Sequence, residues 1–430
     1  MSQGFATSWA LRPALKHRLL PVYDRLSPPV FEAGQSYLAY GNGRSYGDSC
    51  LNDGQTLLLT RPLDRFIAFD AAAGTLRCEA GATLDEVLRL IVPRGWFLPV
   101  TPGTRFATVG GAVANDVHGK NHHAAGTFGC HVRALELVRS DGSVTQCSAQ
   151  QEPALLAATI GGLGLTGLIR WVEFGLKPIA GPYIDGEAIK FETLEEFAAL
   201  SAESDRTYEY TVAWIDCLSR RGRGIFSRGN HSPRSGPVPG ERVVTVPVTP
   251  PISLVNPLSV RAMNTLMYRK QLRKSVTLRL HYRPFFYPLD GILQWNRLYG
   301  PRGFFQFQCA VPAGSAVAAI YEMLRAIRES GQGSFLAVLK MFGSVPSPGM
   351  LSFPRPGMTL AVDFPNRGRE TLQLLERLEH ITVDSGGAVY PAKDAAMSPR
   401  CFRASYPALE QFARWRDQQF SSSFWRRVTA

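Results

Sequence analysis

Two glycine-rich segments constrain the fold of this 430-residue chain more than any other feature. The first is GNGRSYGDSCLN at residues 41–52, and the second, about 60 residues later, is TPGTRFATVGGAVANDVHGKNHHAAGTFG at residues 101–129. Glycine lets a backbone approach a ligand closely and present N–H groups to phosphate oxygens. Two such loops suit a bound diphosphate, although each loop taken alone is equally typical of a plain turn.

Short strands and helices surround the two loops. The runs RFIAFD and TLRCEAG flank the turn AAAG and predict a hairpin, and VRALELVRS and SVTQCS predict a second one around Asp141-Gly142. Thr83 and Glu86 form a capping box, which predicts a helix over LDEVLRLIV. Later in the chain, the strand-like run GFFQFQCAVP places Gln306 and Gln308 on one face. Helix-like and strand-like runs alternate around it, which indicates an α+β pattern.

The formal net charge of +12 lies in one segment, residues 220–283, which we call the basic segment. It contains 13 basic residues and one acid, Glu241, while the rest of the chain is balanced. Its first run, SRRGRGIFSRGNHSPRSGPVPGER, predicts a loop. A proline-interrupted apolar run follows, and RAMNTLMYRKQLRKS then mixes basic and apolar residues. Such a mixture suits a surface that rests on anionic lipid headgroups, and it is equally typical of a solvated loop.

Composition and motifs narrow the possible partners and compartment. No nucleic-acid-binding motif accompanies the charge, so no nucleic acid is predicted as a partner. No apolar run of about 18 residues is free of charge, and the N-terminus lacks the pattern of a signal peptide. The seven cysteines include no C-x-x-C pair and suit a reducing compartment. We therefore expect a cytoplasmic protein, peripheral at the inner face of the membrane.

The motifs RSYGD, TPGTRFATVGGAVANDVHGKNHHAAGTFG, AVDFP and YPAKD follow one another across nearly the whole chain. Together they resemble the vanillyl-alcohol-oxidase-type, or PCMH-type, FAD-binding family, and within it the decaprenylphosphoryl-β-D-ribose 2′-oxidases. The resemblance implies an α+β, two-domain PCMH-type fold with an inserted substrate domain built on an antiparallel sheet. It also implies FAD, bound through backbone groups of both glycine-rich loops.

The resemblance carries the FAD contacts over to residues of both loops and of two later segments. The predicted cofactor-binding residues are Gly41, Asn42, Gly43, Arg44, Ser45, Tyr46, Gly47, Asp48, Ser49, Thr101, Pro102, Gly103, Thr104, Thr108, Val109, Gly110, Gly111, Ala112, Asn115, Asp116, Val117, His118, Gly119, Asn121, Ile169, Tyr390 and Lys393. Many relatives attach FAD covalently through a histidine in a G-x-G-H-S loop. Arg44 stands at that position, and because a guanidinium cannot form the flavin bond, noncovalent FAD is predicted.

Three residues are predicted to carry the chemistry. Oxidation of an alcohol needs a group that takes or polarises the hydroxyl proton, and a positive charge near the flavin stabilises its reduced form. By resemblance His118 faces flavin and substrate, Lys393 lies at the pyrimidine end of the flavin, and Tyr46 completes the catalytic set. Lys120 is expected to support the loop. The histidines of HGKNHH lack the spacing of a metal site, so no metal is predicted.

The resemblance also divides the chain. Residues 1–182 with 388–430 form a discontinuous FAD-binding domain, and residues 183–387 form the substrate-binding domain, which includes the basic segment. The substrate-binding residues it implies are Tyr287, Gln308, Lys340 and Thr359. Lys340 suits a phosphate or a sugar hydroxyl; the alternative is that Gln308 is paired across a sheet and Lys340 is a charge at the rim. Some relatives have a cysteine where this chain has Ala361, so thiol-directed inhibitors should fail here.

The activity that the resemblance implies is that of an FAD-dependent oxidoreductase acting on a CH-OH group. The C2 hydroxyl of polyprenyl-phosphoryl-β-D-ribose would become a 2-keto sugar, the first half of epimerisation to the arabinose donor for cell-envelope polysaccharide. The expected partners are the lipid-linked sugar phosphate, the membrane surface and an NAD(P)H-dependent keto-sugar reductase. Two alternatives remain: an aldonolactone or sugar-alcohol oxidase of the same superfamily, and a non-enzymatic basic protein that binds anions or nucleic acid.

Overall fold

The computed structural model describes residues 3–4, 6–233, 240 and 243–430. Its first strands are β1 (Gln3–Gly4), β2 (His17–Pro21), β3 (Tyr37–Tyr40), β4 (Thr56–Leu59), β5 (Phe66–Asp70), β6 (Thr75–Glu79), β7 (Trp96–Phe97), β8 (Val132–Val138), β9 (Val144–Ser148), β10 (Leu168–Gly175) and β11 (Lys177–Pro178). The later strands are β12 (Tyr183–Phe191), β13 (Tyr210–Ile215), β14 (Gly224–His231), β15 (Val244–Thr245), β16 (Ser275–His281), β17 (Ile292–Leu293), β18 (Phe304–Val311), β19 (Ala337–Phe342), β20 (Gly357–Pro365) and β21 (Ala388–Val389).

The described helices before residue 190 have at most 8 residues, whereas four of the later ones have 11 to 17 residues. They are α1 (Leu84–Ile91), α2 (Val109–Ala114), α3 (His122–Ala125), α4 (Pro153–Thr159), α5 (Leu194–Ser204), α6 (Pro257–Lys270), α7 (Tyr282–Phe286), α8 (Ala313–Glu329), α9 (Arg369–Asp384), α10 (Pro399–Ser405), α11 (Leu409–Ala413) and α12 (Ser423–Thr429).

The N-terminal part contains a four-stranded sheet, a five-stranded sheet and the short antiparallel pair β7–β11. The four-stranded sheet has the strand order β1-β2-β4-β3, and the five-stranded sheet, entirely antiparallel, has the order β5-β6-β10-β8-β9. The two predicted hairpins, β5–β6 and β8–β9, are confirmed. The predicted capping box is confirmed as well, because the Thr83 side chain accepts from the Glu86 N–H and the Glu86 carboxylate accepts from the Thr83 N–H. These elements fix the ends of both glycine-rich loops.

A mixed α and β architecture continues in the C-terminal part, around one large sheet. Eight antiparallel strands lie in the order β16-β12-β14-β13-β19-β20-β18-β21. Apolar side chains of α8 and α9, such as Ile320 and Leu378, pack against buried strand residues such as Leu339 and Leu360. Because side chains alternate along a strand, the neighbouring positions of β18, β19 and β20 point to the opposite face. That opposite face forms one wall of the site described below.

The C-terminal residues return to the first glycine-rich loop. Helix α12 packs against the short 3₁₀ turn Asp48–Cys50. The Arg427 guanidinium lies 2.7 Å from the Asp48 carboxylate and 3.0 Å from the Asp394 carboxylate. Strand β21, just before this region, pairs with β18 of the large sheet. The loop, the sheet and the YPAKD motif are thereby held in one arrangement.

The basic segment differs from its prediction as a loop. Residues Gly224–His231 form β14, an interior strand of the large sheet, because Arg228 is neutralised by Glu187 at 2.7 Å and by Glu203 at 3.0 Å. Arg223 pairs with Asp216 at 3.0 Å. The loop prediction is therefore wrong for this strand. Arg234, Glu241 and Arg242 lie outside the described residues.

The rest of the basic segment exposes apolar side chains beside its charges. Helix α6 buries Val260 and Asn264, and its other side leaves Leu258 80% and Leu266 62% exposed. Leu272, between basic residues that follow the helix, is 92% exposed. We call Leu258, Leu266 and Leu272, with the basic residues among them, the α6 patch. Among the described residues, no helix is both long and apolar enough to cross a membrane.

Candidate active site

A cavity of about 710 Å³ lies between the two glycine-rich loops and the large sheet. It brings together most of the residues predicted for cofactor and substrate. Those on its wall are Gly41, Asn42, Gly43, Arg44, Ser45, Tyr46, Ser49, Pro102, Gly103, Thr104, Thr108, Gly110, Gly111, Asn115, Val117, His118, Ile169, Gln308, Lys340, Thr359, Tyr390 and Lys393.

The glycines of the loops stand where a side chain has no room. A Cβ on Gly41 would lie 2.4 Å from Thr108 Oγ1, and one on Gly110 would lie 2.9 Å from the Ala80 Cβ. Gly43 adopts a φ of +57°, in the left-handed region that glycine tolerates best. The two loops therefore present backbone, rather than side chains, to the cavity.

Polar atoms without partners face this backbone-lined end of the cavity. Within the described part of the chain, Arg44 Nε, Ser49 Oγ and His118 Nδ1 are buried and make no hydrogen bond. The Arg44 guanidinium stacks 4.3 Å from the Trp9 ring centroid and 5.3 Å from that of Phe106. Buried polar groups normally have partners, so these atoms indicate a polar ligand. The glycine-lined backbone and the unpartnered polar atoms together fit FAD.

His118 is the best-defined polar residue on the wall. The Gln308 Nε2 donates to His118 Nε2 at 2.9 Å and to Thr359 Oγ1 at 3.2 Å. Burial, together with Lys340, His122 and Lys393, holds the pKa of His118 well below its usual value. The imidazole is therefore neutral near pH 7, and its proton resides on Nδ1 because Nε2 is the acceptor.

Lys393 lies on the same cavity wall. Its Nζ is 3.7 Å from the centroid of the Tyr46 ring, and the Tyr46 N–H donates to the Ala392 carbonyl at 2.8 Å. The first loop and the YPAKD motif therefore meet here. Burial lowers the pKa of Lys393, and the charge of Asp363 opposes that effect.

Lys340 projects from β19 onto the same face of the sheet. Its Nζ donates to the Gly119 carbonyl at 3.3 Å. Burial, Lys120 and Lys393 lower its pKa to about 7, and burial lowers the pKa of Lys120 to about 8. In the described part of the chain no carboxylate forms an ion pair with either lysine. The site thus concentrates positive charge that the protein does not neutralise.

The three histidines of HGKNHH serve different contacts. His118 bonds to Gln308, the Gly343 N–H donates to His122 Nδ1 at 3.2 Å, and His123 Nε2 lies 3.0 Å from the Tyr208 carbonyl. Lys120 follows His118 by two residues, and its carbonyl accepts from the Thr211 N–H at 2.8 Å. This backbone contact ties the second loop to β13.

Several predicted residues are not on the cavity wall. Asp48 pairs with Arg427, Asp116 accepts from the Gly129 N–H at 2.9 Å, and Asn121 donates to the Pro99 carbonyl at 2.8 Å. Tyr287, predicted to bind substrate, is buried and lies 2.6 Å from Thr101 Oγ1 through its hydroxyl. These side chains, with Gly47, Val109, Ala112 and Gly119, support the loops from behind.

Other wall residues are not among the predicted site residues, although the sequence places Gln306 on the same strand face as Gln308. Gln306 and Asp363 face each other across β18 and β20, and the Gln306 amide donates to the Asp363 carboxylate. Asp363 has a simple signal, since it follows Thr359 and Ala361 at intervals of two residues along one strand. Trp9 and Asp290 also line the cavity. No local pattern marks these two, because each comes from a segment distant from both loops.

Comparison with known proteins agrees with this geometry. A family model described as an FAD binding domain matches residues 31–148. The chain is 35% identical over 423 residues to the decaprenylphosphoryl-β-D-ribose oxidase of Mycolicibacterium smegmatis, which covers 92% of this chain and 90% of that protein. It is 32% identical to an uncharacterized protein in the mprA 5′ region of Streptomyces coelicolor, over 78% of this chain and 95% of the other. A D-lactate dehydrogenase of Anaerostipes hadrus is 28% identical over 36% of this chain and 33% of its own.

Proposed function

This chain belongs to the same FAD-binding family as decaprenylphosphoryl-β-D-ribose oxidase, and from that premise we propose that it oxidises the C2 hydroxyl of polyprenyl-phosphoryl-β-D-ribose to a keto group. The observation that carries the proposal is one cavity that joins the FAD loops, His118 and Lys340, a lysine with no carboxylate partner among the described residues. FAD is the cofactor, and when bound it supplies the hydride acceptor. An NAD(P)H-dependent reductase would then convert the keto sugar to the arabinose epimer.

The roles of the polar side chains follow from their protonation. Gln308 orients the His118 ring through Nε2, so the Nδ1–H of the neutral imidazole is left to donate to the substrate hydroxyl and polarise it. Lys393, when charged, supplies the positive charge that stabilises an anionic reduced cofactor. Tyr46 holds the lysine amine over its ring. His118, Lys393 and Tyr46 are accordingly the proposed catalytic residues.

The phosphate of the substrate would neutralise the lysine cluster. A partly buried cation without a counter-charge is costly, so Lys340 favours an anionic ligand in the cavity. Lys340 lies on the cavity wall, and Lys120 acts on it electrostatically. Gln308 and Thr359 on the adjacent strands offer hydrogen bonds to sugar hydroxyls. A free sugar would leave the lysines without a counter-charge.

The proposed division of labour follows the predicted domains. Residues 1–182 with 388–430 hold FAD, and residues 183–387 contribute the sheet wall that contacts the sugar. The glycine-lined end of the cavity and the eight-stranded sheet support this division. Arg44, which replaces the histidine of covalent flavoproteins, supports noncovalent binding because it cannot form the flavin bond.

Membrane contact at the inner face is proposed for the α6 patch. Its exposed leucines lie beside Arg269, Lys270, Arg273 and Lys274, a combination that suits anionic lipid headgroups. The neighbouring β15 and β17 pair with each other and contribute Thr245, Ile292 and Leu293 to the cavity wall. A lipid-linked sugar could therefore enter the cavity from the membrane surface.

Anaerobic bleaching of the flavin tests the proposed reaction. The holoenzyme should be reduced by synthetic polyprenyl-phosphoryl ribose and not by free ribose or by aldonolactones. Lys393→Ala should bind FAD and fail to be reduced. Bleaching by an aldonolactone alone would instead identify the second candidate, an aldonolactone or sugar-alcohol oxidase, which the unneutralised lysines do not favour.

A further inference from the structure

Arg44 is a cation on the cavity wall that the protein itself leaves without a polar partner. Among the described residues, its guanidinium makes no hydrogen bond or ion pair, and its Nε is buried. Two aromatic rings flank it instead: the Trp9 ring centroid lies 4.3 Å from the guanidinium carbon, and the Phe106 ring centroid lies 5.3 Å from it. Such stacking covers the faces of a guanidinium and leaves the N–H groups at its edge free for a ligand.

Each of the two rings has a support of its own. Phe106 belongs to the second glycine-rich segment, and its carbonyl accepts from the Asn42 side-chain amide of the first at 2.8 Å. The Trp9 ring packs edge to face against Trp295, with 5.6 Å between the ring centroids and 64° between the ring planes. Arg44 is therefore held between two surfaces that other contacts keep in place.

Trp9 belongs to residues 6–12, which we call the N-terminal strap. The strap is bonded to the first glycine-rich loop through the backbone of that loop. The Trp9 N–H donates to the Ser45 carbonyl at 2.8 Å, and the Ser8 hydroxyl donates to the Tyr46 carbonyl at 3.1 Å. These two bonds fix the strap to the residues that directly follow Arg44 in the chain.

The strap also packs closely against the residue that precedes Arg44. A Cβ on Gly43 would lie 2.7 Å from the Thr7 carbonyl oxygen, so a side chain at this position would push the strap away. The Tyr40 hydroxyl donates to the same Thr7 carbonyl at 2.8 Å. Strap and loop therefore contact each other on both sides of Arg44.

The other contacts of the strap lie beyond the FAD loops. The Asn296 side-chain amide, in the 3₁₀ turn Trp295–Tyr299, donates to the Trp9 carbonyl at 2.8 Å. The Arg12 guanidinium donates to the Pro301 carbonyl at 3.0 Å and to the Arg302 carbonyl at 3.2 Å. The strap thus connects the first loop to the segment that leads into β18.

We propose that the N-terminal strap retains FAD: Trp9 is the positioning residue that holds the Arg44 guanidinium against the bound cofactor. FAD carries carbonyl, ring-nitrogen, hydroxyl and phosphate acceptors, and it supplies the polar partner that Arg44 lacks within the protein. Arg44 lines the cavity and donates to FAD, whereas Trp9 acts through Arg44. The proposal rests on the noncovalent binding of FAD proposed above and not on the identity of the substrate.

Release of FAD from the holoenzyme measures retention without any turnover. The holoenzyme is diluted, and the rise in flavin fluorescence that accompanies the release of FAD is followed over time. Trp9→Ala should release FAD about 2- to 30-fold faster than the wild type, the range that loss of a cation–π contact gives. Trp9→Phe keeps an aromatic ring over the guanidinium and should return the rate toward that of the wild type.

Tyr268→Ala is the matched control, because it removes an aromatic ring that stacks 4.7 Å from the Arg223 guanidinium and does not line the cavity. Its rate of FAD release should equal that of the wild type. An unchanged rate in Trp9→Ala would overturn the proposal. If Trp9→Ala does not fold, Tyr40→Phe takes its place: it removes the bond to the Thr7 carbonyl, loosens the strap and should also release FAD faster.

A double-mutant cycle separates positioning from a structural role. Arg44→Met should release FAD faster on its own, and Trp9→Ala or Tyr40→Phe should add little to it, because the strap acts through Arg44. Independent effects that multiply would indicate a structural role of Trp9 and overturn the proposal, as would normal FAD release in Arg44→Met. FAD that stays with the denatured wild-type chain would instead refute noncovalent binding, so the two failures are distinguishable.

Discussion

Lys340→Met should stabilise the substrate-free enzyme, although it removes a proposed substrate contact. Burial and the neighbouring Lys120 and Lys393 lower the Lys340 pKa from 10.5 to about 7. At about 1.4 kcal/mol for each pH unit, this depression corresponds to an upper bound of about 5 kcal/mol of destabilisation at neutral pH. Met fills similar space without a charge, and it leaves the Gly119 carbonyl without its donor, at a cost of about 1–2 kcal/mol. The expected net gain is about 2–4 kcal/mol.

The stability difference between the wild type and Lys340→Met should depend on pH in a defined direction. Between pH 7 and 10.5 the unfolded chain binds more protons at Lys340 than the folded protein does, so the stability of the wild type should rise with pH across this range. The variant lacks this rise. The stability difference between them should therefore be largest at pH 7 and should shrink toward pH 10.5, where Lys340 is neutral in both states.

Thermal unfolding of the two holoenzymes, followed by intrinsic fluorescence from pH 6.5 to 10, measures this difference. Lys270→Met, on the exposed side of α6, is the matched control and should give a flat, small difference. Added polyprenyl-phosphoryl ribose should stabilise the wild type and not Lys340→Met. A Lys340→Met variant that is no more stable than the wild type at pH 7 would refute the assignment of Lys340 as an uncompensated buried cation.

Two further predictions concern the cofactor and the membrane. Gly110→Ala should lower FAD content, because the new Cβ would lie 2.9 Å from the Ala80 Cβ and displace the second glycine-rich segment. FAD content is measured as the ratio of the flavin absorbance at about 450 nm to the absorbance of the protein. Gly314→Ala, where nothing lies within 4 Å, should retain FAD; equal FAD content in both variants would contradict this account. The double variant Leu266→Asp, Leu272→Asp should sediment less with anionic liposomes and keep its FAD, whereas Leu372→Asp, an exposed leucine of α9, should bind like the wild type. Unchanged liposome binding of the double variant would exclude the α6 patch as the contact.

The parts of the fold that the sequence predicts are those fixed by local chemistry. The capping box at Thr83 and the two hairpins depend on residues at most 14 positions apart, as in the pair Ala134 and Ser148, and all three are confirmed. Strand β14 depends on distant partners. Its glycine-rich run resembles a loop, but Gly186 lets β12 approach Arg228, and Glu187 and Glu203 neutralise the guanidinium. No local pattern in the basic segment contains those two acids.

Within the candidate site, too, local sequence patterns predict some positions and not others. Gln308 and Gln306 could be assigned to one face because a strand alternates with a fixed period, and the same rule reaches Asp363. Tyr287 follows no such rule, since it lies outside any strand, directly after α7, and its hydroxyl lies 2.6 Å from Thr101 Oγ1. The periodicity of a strand thus predicts which face a residue lies on. It does not predict the contacts of a residue in an irregular segment.

The positive charge of this chain has two different physical roles. Arg223 and Arg228 of the basic segment are paired with carboxylates and belong to the fold, so their charge is cancelled inside the protein. Lys340 and Lys120 lie outside that segment, are partly buried, and have lowered pKa values without a carboxylate in contact among the described residues. Because an uncompensated buried cation opposes folding, its presence on a cavity wall is better explained by a ligand than by stability. A count of net charge finds the first group, whereas the lysines proposed to select an anionic substrate lie in the part of the sequence where basic and acidic residues balance.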